Sequence, residues 1–115
     1  MTRFYRHIAI IFILVLNGVG GMAQSFDACQ LYGQVFVTQD RNQANFKVFI
    51  EETEAFADVV VYLEENRLFA DKPGIWFLTE NQAFANFSIY FVEQPGMADF
   101  SIFYTDVLSF AGCNR

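Results

Sequence analysis

The polar and apolar positions of this chain alternate with a period of two and then recur at a longer one. Ala57, Val59, Val61 and Leu63 fall on one side of an extended segment, with Asp58, Val60, Tyr62 and Glu64 on the other. Ala85, Phe87, Ile89 and Phe91 alternate in the same way with Asn86, Ser88, Tyr90 and Val92. Such alternation, rich in β-branched and aromatic residues, predicts strands of about nine residues, each with one buried face. The segments between them (39–42, 52–55 and 94–96) carry the polar, Asp, Pro and Gly signals of tight turns.

The longer period is 13 residues. Alanine stands at 44, 57, 70, 85, 98 and 111, and the spacing is 13 throughout except for 15 across the middle. The two extra residues lie near Pro73-Gly74, a turn dipeptide that divides the chain into three strands plus three. Other columns align once the insertion is allowed for. Val35, Val48, Val61, Trp76, Ile89 and Ile102 form one, and Phe36, Phe49, Tyr62, Phe77, Tyr90 and Phe103 form an aromatic one. Asn45, Asp58, Asp71, Asn86 and Asp99 follow the alanines, with Gly112 closing that column.

No segment of the repeat region has a helical period, so the domain is expected to be all-β. Six strand–turn repeats fit a small antiparallel meander or barrel; the alternative is a β-solenoid with one coil per repeat. The cysteines bear on the choice. Six stacked coils would place the ends about 24 Å apart at about 4.8 Å per step, whereas a disulfide tolerates about 7 Å between Cα atoms. A closed meander brings Cys29 and Cys113 together, although an extended lead-in could also reach back along a solenoid.

Residues 1–23 read as a signal peptide. Arg3 and Arg6 precede a run of nine apolar residues, 8–16, and Gly21-Met22-Ala23 has the small-x-small form of a cleavage site. Nine apolar residues are too few to span a bilayer, which takes about 20. Residues 24–34 are then a lead-in and 35–115 the repeat domain. The expected address is the periplasm or the cell exterior, where a Cys29–Cys113 disulfide would persist.

Removal of the signal changes the chemistry available. Two of the seven Lys and Arg leave while all 13 acidic residues stay, so the net charge moves from −6 to −8. A chain this acidic lacks the main attraction for nucleic acid. His7, the one histidine, leaves as well, which excludes histidine-based triads and His-ligated zinc.

The residues Val35-Phe36-Val37, Gln43-Ala44-Asn45-Phe46-Lys47, Gly74-Ile75-Trp76-Phe77 and Ala111-Gly112 resemble an uncharacterised bacterial domain-of-unknown-function family. Its tandem units run Val-Tyr-Val-Val-Asp-x-x-x-Gln-Ala-Asp-Leu-Lys. The resemblance covers residues 35–113. It departs where Phe56, Phe69, Phe84, Met97 and Phe110 replace the glutamine before alanine, and where Cys113 replaces a closing tryptophan. It implies a repeat protein and brings no activity with it.

Three candidate sites follow from the residues. The aromatic column (Phe36, Phe49, Tyr62, Phe77, Tyr90, Phe103) is a candidate binding face for a glycan or protein partner; the competing reading is packing of the rings against one another across strands. The Asn/Asp column and turn carboxylates Glu51, Glu52, Glu54, Glu64 and Glu65 could hold calcium, but the spacing of a known calcium loop is missing. Glu52, Glu65, Glu80, Glu93 and Asp106 recur at one repeat position, and nothing singles out a glycosidase pair. The expectation is an exported, non-catalytic structural or interaction module without cofactor or metal. It has no nucleic-acid partner and no stable membrane insertion. The alternatives are a self-assembling fibre protein or a calcium- or carbohydrate-binding module.

Overall fold

Alternation places a core residue at every second position, and the strands form where it is strongest. The computed structural model describes residues 27–113; the signal-peptide reading of residues 1–23 lies outside them. The strands are β1 (Gly33–Val37), β2 (Phe46–Ile50), β3 (Val59–Leu63), β4 (Ile75–Leu78), β5 (Phe87–Phe91), β6 (Phe100–Thr105) and the short β7 (Gly112–Cys113). Each of the first six is followed by a single 3-10 turn, and the described residues hold no α-helix.

The sheet order is β4-β1-β5-β2-β6-β3, and β3 pairs back onto β4, so six strands close a barrel. All of these pairings are parallel; only β7 lies antiparallel, on β3. The expected antiparallel meander is therefore corrected. The solenoid alternative does not describe the barrel either, because both architectures make consecutive strands neighbours. Here β5 lies between β1 and β2, and β6 between β2 and β3.

The register explains how so short a unit can connect parallel strands, which ordinarily takes a dozen residues or more. Val37, at the end of β1, lies level with Ile89 of β5, and so does Phe46, at the start of β2. The connection need only pass sideways over one strand, with no return along the axis. Ile50 and Val59 are both level with Ile102. Leu78 and Phe87 are likewise level with Val35. The register advances two residues at each of the six steps, a shear of twelve in all. That tilts the strands steeply and widens the barrel enough to be filled by side chains.

The same step rule accounts for the break in the period. Moving two places at each connection, β1, β2 and β3 take alternate positions and a further step would return to β1. The connection containing Pro73-Gly74 moves only one place instead, and β4, β5 and β6 fill the gaps. The two halves of the chain thus interleave. Five connections pass over an intervening strand, against the usual rule that connections do not cross.

Inside, the Val/Trp/Ile column forms the central layer: Val35, Val48, Val61, Trp76, Ile89 and Ile102 are all 0 % exposed. Below it the Phe46 ring packs edge-on to Phe87 and Phe100, with centroids 5.8 Å away in each case. Trp76 packs edge-on to Phe87 at 5.4 Å, and its Nε1 donates to the Leu31 carbonyl at 3.2 Å. The segment leading into β1 thereby plugs this end. It is held there by the Cys29–Cys113 disulfide, whose Cα atoms are 5.1 Å apart. At the other end Ile50, Leu63 and Leu78 remain 37–39 % exposed, so the barrel is open there.

Candidate functional site

The outward-facing residues are organised by the crossing connections. Each of the six 3-10 turns that follow β1 to β6 closes on an i→i+3 backbone bond and ends on a cap alanine, as in Ala44 N–H to the Arg41 carbonyl. Asp40, Asn66 and Asn81 begin their turns by accepting from the backbone N–H two residues on, a local bond these side chains favour. The turn between β1 and β2 lies across the outside of β5. The Ser88 hydroxyl donates to the Gln43 carbonyl at 3.0 Å, and the Arg41 guanidinium sits 5.8 Å from the Tyr90 ring centroid.

The Asn/Asp column fastens these crossings. The Asn45 N–H donates to the Ser88 carbonyl at 2.9 Å, while the Ser88 N–H donates back to Asn45 Oδ1 at 2.8 Å. Asp58 and Ser101 make the same reciprocal pair at 3.1 and 3.0 Å. Asn86 and Gln34 make it at 2.7 and 2.8 Å, and Asp99 and Lys47 at 2.7 Å in both directions. Four of the column's oxygens are thus engaged by backbone amides of another strand, and they do not converge on a common point as calcium ligands would. The crossing also buries what lies beneath it. Ser88, Ser101 and Val60 are outward-facing yet 6, 8 and 3 % exposed.

The aromatic column lies on the outer surface, and all six rings are half-buried. They do not stand opposite one another. Phe36 faces Ser88, Phe49 faces Ser101, Tyr90 faces Lys47, Phe77 faces Gln34, Phe103 faces Val60 and Tyr62 faces Ile75. The column is therefore spread around the barrel with the clamped residues between its members. Glu52, Glu65, Glu80, Glu93 and Asp106 are exposed, each at the rim of a different connection. Inside the open end, burial pushes the Tyr104 phenol up to about 12 from its usual 10.0. Asp27, Cys29 and Cys113 bring their ligand atoms within 4.8 Å of one another, but the two sulfurs are bonded together and are not available to a metal.

Large exposed apolar side chains also recur at the last position of the turns, beside Leu68 and Leu108 at other turn positions. Phe56 is 72 % exposed, Phe69, Phe84 and Phe110 are 59 %, and Met97 is 49 %. These residues occupy equivalent positions over β6, β4, β1, β3 and β2, an arc broken only at Gln43 over β5. The sequence carried the signal. A turn position that solvent would ordinarily fill with a polar residue holds Phe four times.

Beside the plugged end, an open groove of about 410 Å³ runs past Tyr32, Asn45 and Asn86. A smaller cleft of about 210 Å³ shares Asn45, Asn86 and Phe87 with it. No helix among the described residues is long and apolar enough to cross a membrane. No curated protein and no solved structure matches the chain. One family does match, described as a 7(1) septoil knot domain, over residues 28–114.

Proposed function

The chain belongs to the 7(1) septoil knot domain family, and from that frame and the surface it displays we propose that it is an exported, non-catalytic interaction module. The observation that carries this reading is the set of turn-end phenylalanines, 59–72 % exposed at four equivalent positions. Large exposed rings that recur at one position of the repeat offer apolar contact area to a partner. The barrel holds them on a frame fixed by reciprocal hydrogen bonds. Six copies of the 13-residue unit, with two added residues in the middle, supply that frame. The paired cysteines favour an oxidising compartment, and the acidic charge disfavours nucleic acid.

A fibre of edge-paired strands is the less favoured reading. Each of the six barrel strands already has a partner on both sides, which leaves no long edge to extend. Two measurements test the proposal. A photo-crosslinking residue at position 56, 84 or 110 of the exported protein is expected to give a discrete heavier adduct in the producing cell, with none from exposed position 39. Sedimentation of the purified mature protein is expected to show one small species. Absence of adducts at all three positions would sink the module reading, and adducts at multiples of the chain's own mass would replace it with self-assembly.

A further inference from the structure

We propose that the groove beside the plugged end binds a neutral saccharide chain, with Tyr32 as the stacking platform and the side-chain amides of Asn45 and Asn86 as fixed donors. The argument starts from the clamps. A clamp needs only an acceptor oxygen, and at 58 and 99 a carboxylate supplies it. At 45 and 86 the same job is done by an amide, which brings an additional NH2 group.

Because the Ser88 and Gln34 backbone amides must meet oxygen, the orientation of both side-chain amides is settled. Each Nδ2 is then held in a fixed direction, and neither carries a hydrogen bond among the described residues. Both asparagines line the groove and its adjoining cleft. These are preorganised donors, the kind of polar group that orients a ligand in an otherwise apolar site.

The remaining surroundings select the ligand class. Phe46 and Phe87 lie against the groove, and Tyr32 presents a ring that is 46 % exposed. Gln30 at one end, and Gln43 and Gln82 in the cleft, add groups that both donate and accept. No charged residue lines either space, on a chain whose formal charge is −6. An aromatic face for the C–H side of a sugar ring, with uncharged amides for its hydroxyls, fits a neutral saccharide. A peptide fits less well. The strands here, β5 and β2, are hydrogen-bonded on both sides and cannot accept an added strand.

The probes are cellohexaose, chitohexaose and maltohexaose, titrated into the disulfide-bonded mature protein and followed by NMR. At least one is expected to shift the signals of Tyr32 and of the Asn45 and Asn86 side-chain amides, at roughly millimolar concentration. The double variant N45D/N86D keeps both clamp oxygens and removes both donors. It should melt like the unaltered protein and bind at least about tenfold more weakly. Tyr32→Ala, at an exposed position outside the core, should weaken binding by a similar factor and serves if the double variant is unstable. No shift with any of the three oligosaccharides overturns the proposal. So does unaltered binding by both variants, or displacement of the sugar by an uncharged Gly-Ser peptide at equal concentration. The turn-end phenylalanines play no part in these titrations, so a negative result here leaves the interaction-module reading standing on its own test.

Discussion

Gly33 and Asn86 are in contact across two strands that are 53 residues apart in sequence: a Cβ added to Gly33 would meet the Asn86 side-chain oxygen that Gln34 N–H holds. Gly33 also has φ +108°, a conformation an L side chain resists. Gly33→Ala is therefore expected to combine backbone strain with loss of a clamp and to lower stability by more than about 2 kcal/mol, read by urea denaturation.

The clamps make a sharper prediction at Asp58. Asp58→Asn retains an oxygen for Ser101 N–H and should change stability by less than about 0.5 kcal/mol. Asp58→Ala leaves that amide without its acceptor beneath a crossing connection and should cost about 1–3 kcal/mol. Equal losses in the two variants would mean that charge, and not the reciprocal bond, matters at this position.

The position of the period break is equally testable. Deleting Lys72 and Pro73 restores an unbroken 13-residue spacing, which on the step rule directs β4 toward the place β1 occupies. The deletion variant is expected to lose cooperative unfolding altogether. Two glycines inserted after Glu93, in the exposed connection between β5 and β6, should cost only about 1 kcal/mol. Cooperative, near-normal unfolding of the deletion variant would show that the step rule is not what places the second half.

Much of the barrel was legible beforehand. The column from Val35 to Ile102 is its central layer, the described residues form strands and short 3-10 turns with no α-helix, and Cys29 pairs with Cys113. The order of the strands was not legible. A period of two says which face is buried and nothing about which strand lies alongside, and short turns between amphipathic strands read as reversals. What makes the strands parallel is the register that sets Val37 and Phe46 level with Ile89, and that belongs to the closed barrel alone. The role of the Asn/Asp column was hidden for the same reason. Its hydrogen-bond partners lie 43 or 52 residues away, beyond anything a local turn rule can see. Nor could the pattern distinguish Asn45 and Asn86 from Asp58 and Asp99, because the distinction is what stands in front of them.

The disulfide closes a loop with a sequence separation of 84, so its contribution should be large. In the chain-entropy account such a loop stabilises by about 4.5 kcal/mol. It also fastens the plug that receives the Trp76 Nε1–H. Replacing both cysteines by serine should lower stability by about 3–4 kcal/mol, with the loss of Trp76 burial visible in its fluorescence. A loss below about 1 kcal/mol would mean that the interleaved strands hold the plug without help.

Tyr104 is expected to make stability depend on pH in the alkaline range. Burial raises its folded-state pKa to about 12, against 10.0 for an exposed phenol. The folded protein therefore keeps the phenolic proton through a range in which the unfolded chain releases it. Since the unfolded state then binds fewer protons, stability must fall as pH rises. The contribution is fully present below pH 10 and is lost as pH climbs toward 12. Tyr104→Phe removes the ionisable group while keeping the ring at the open end of the barrel. The melting temperature of the unaltered protein should decline more steeply between pH 10 and 12 than that of the variant, and the two should run parallel below pH 9. Identical alkaline slopes would show that Tyr104 ionises as readily folded as unfolded, and that solvent reaches it through the open end past Leu63 and Ile50.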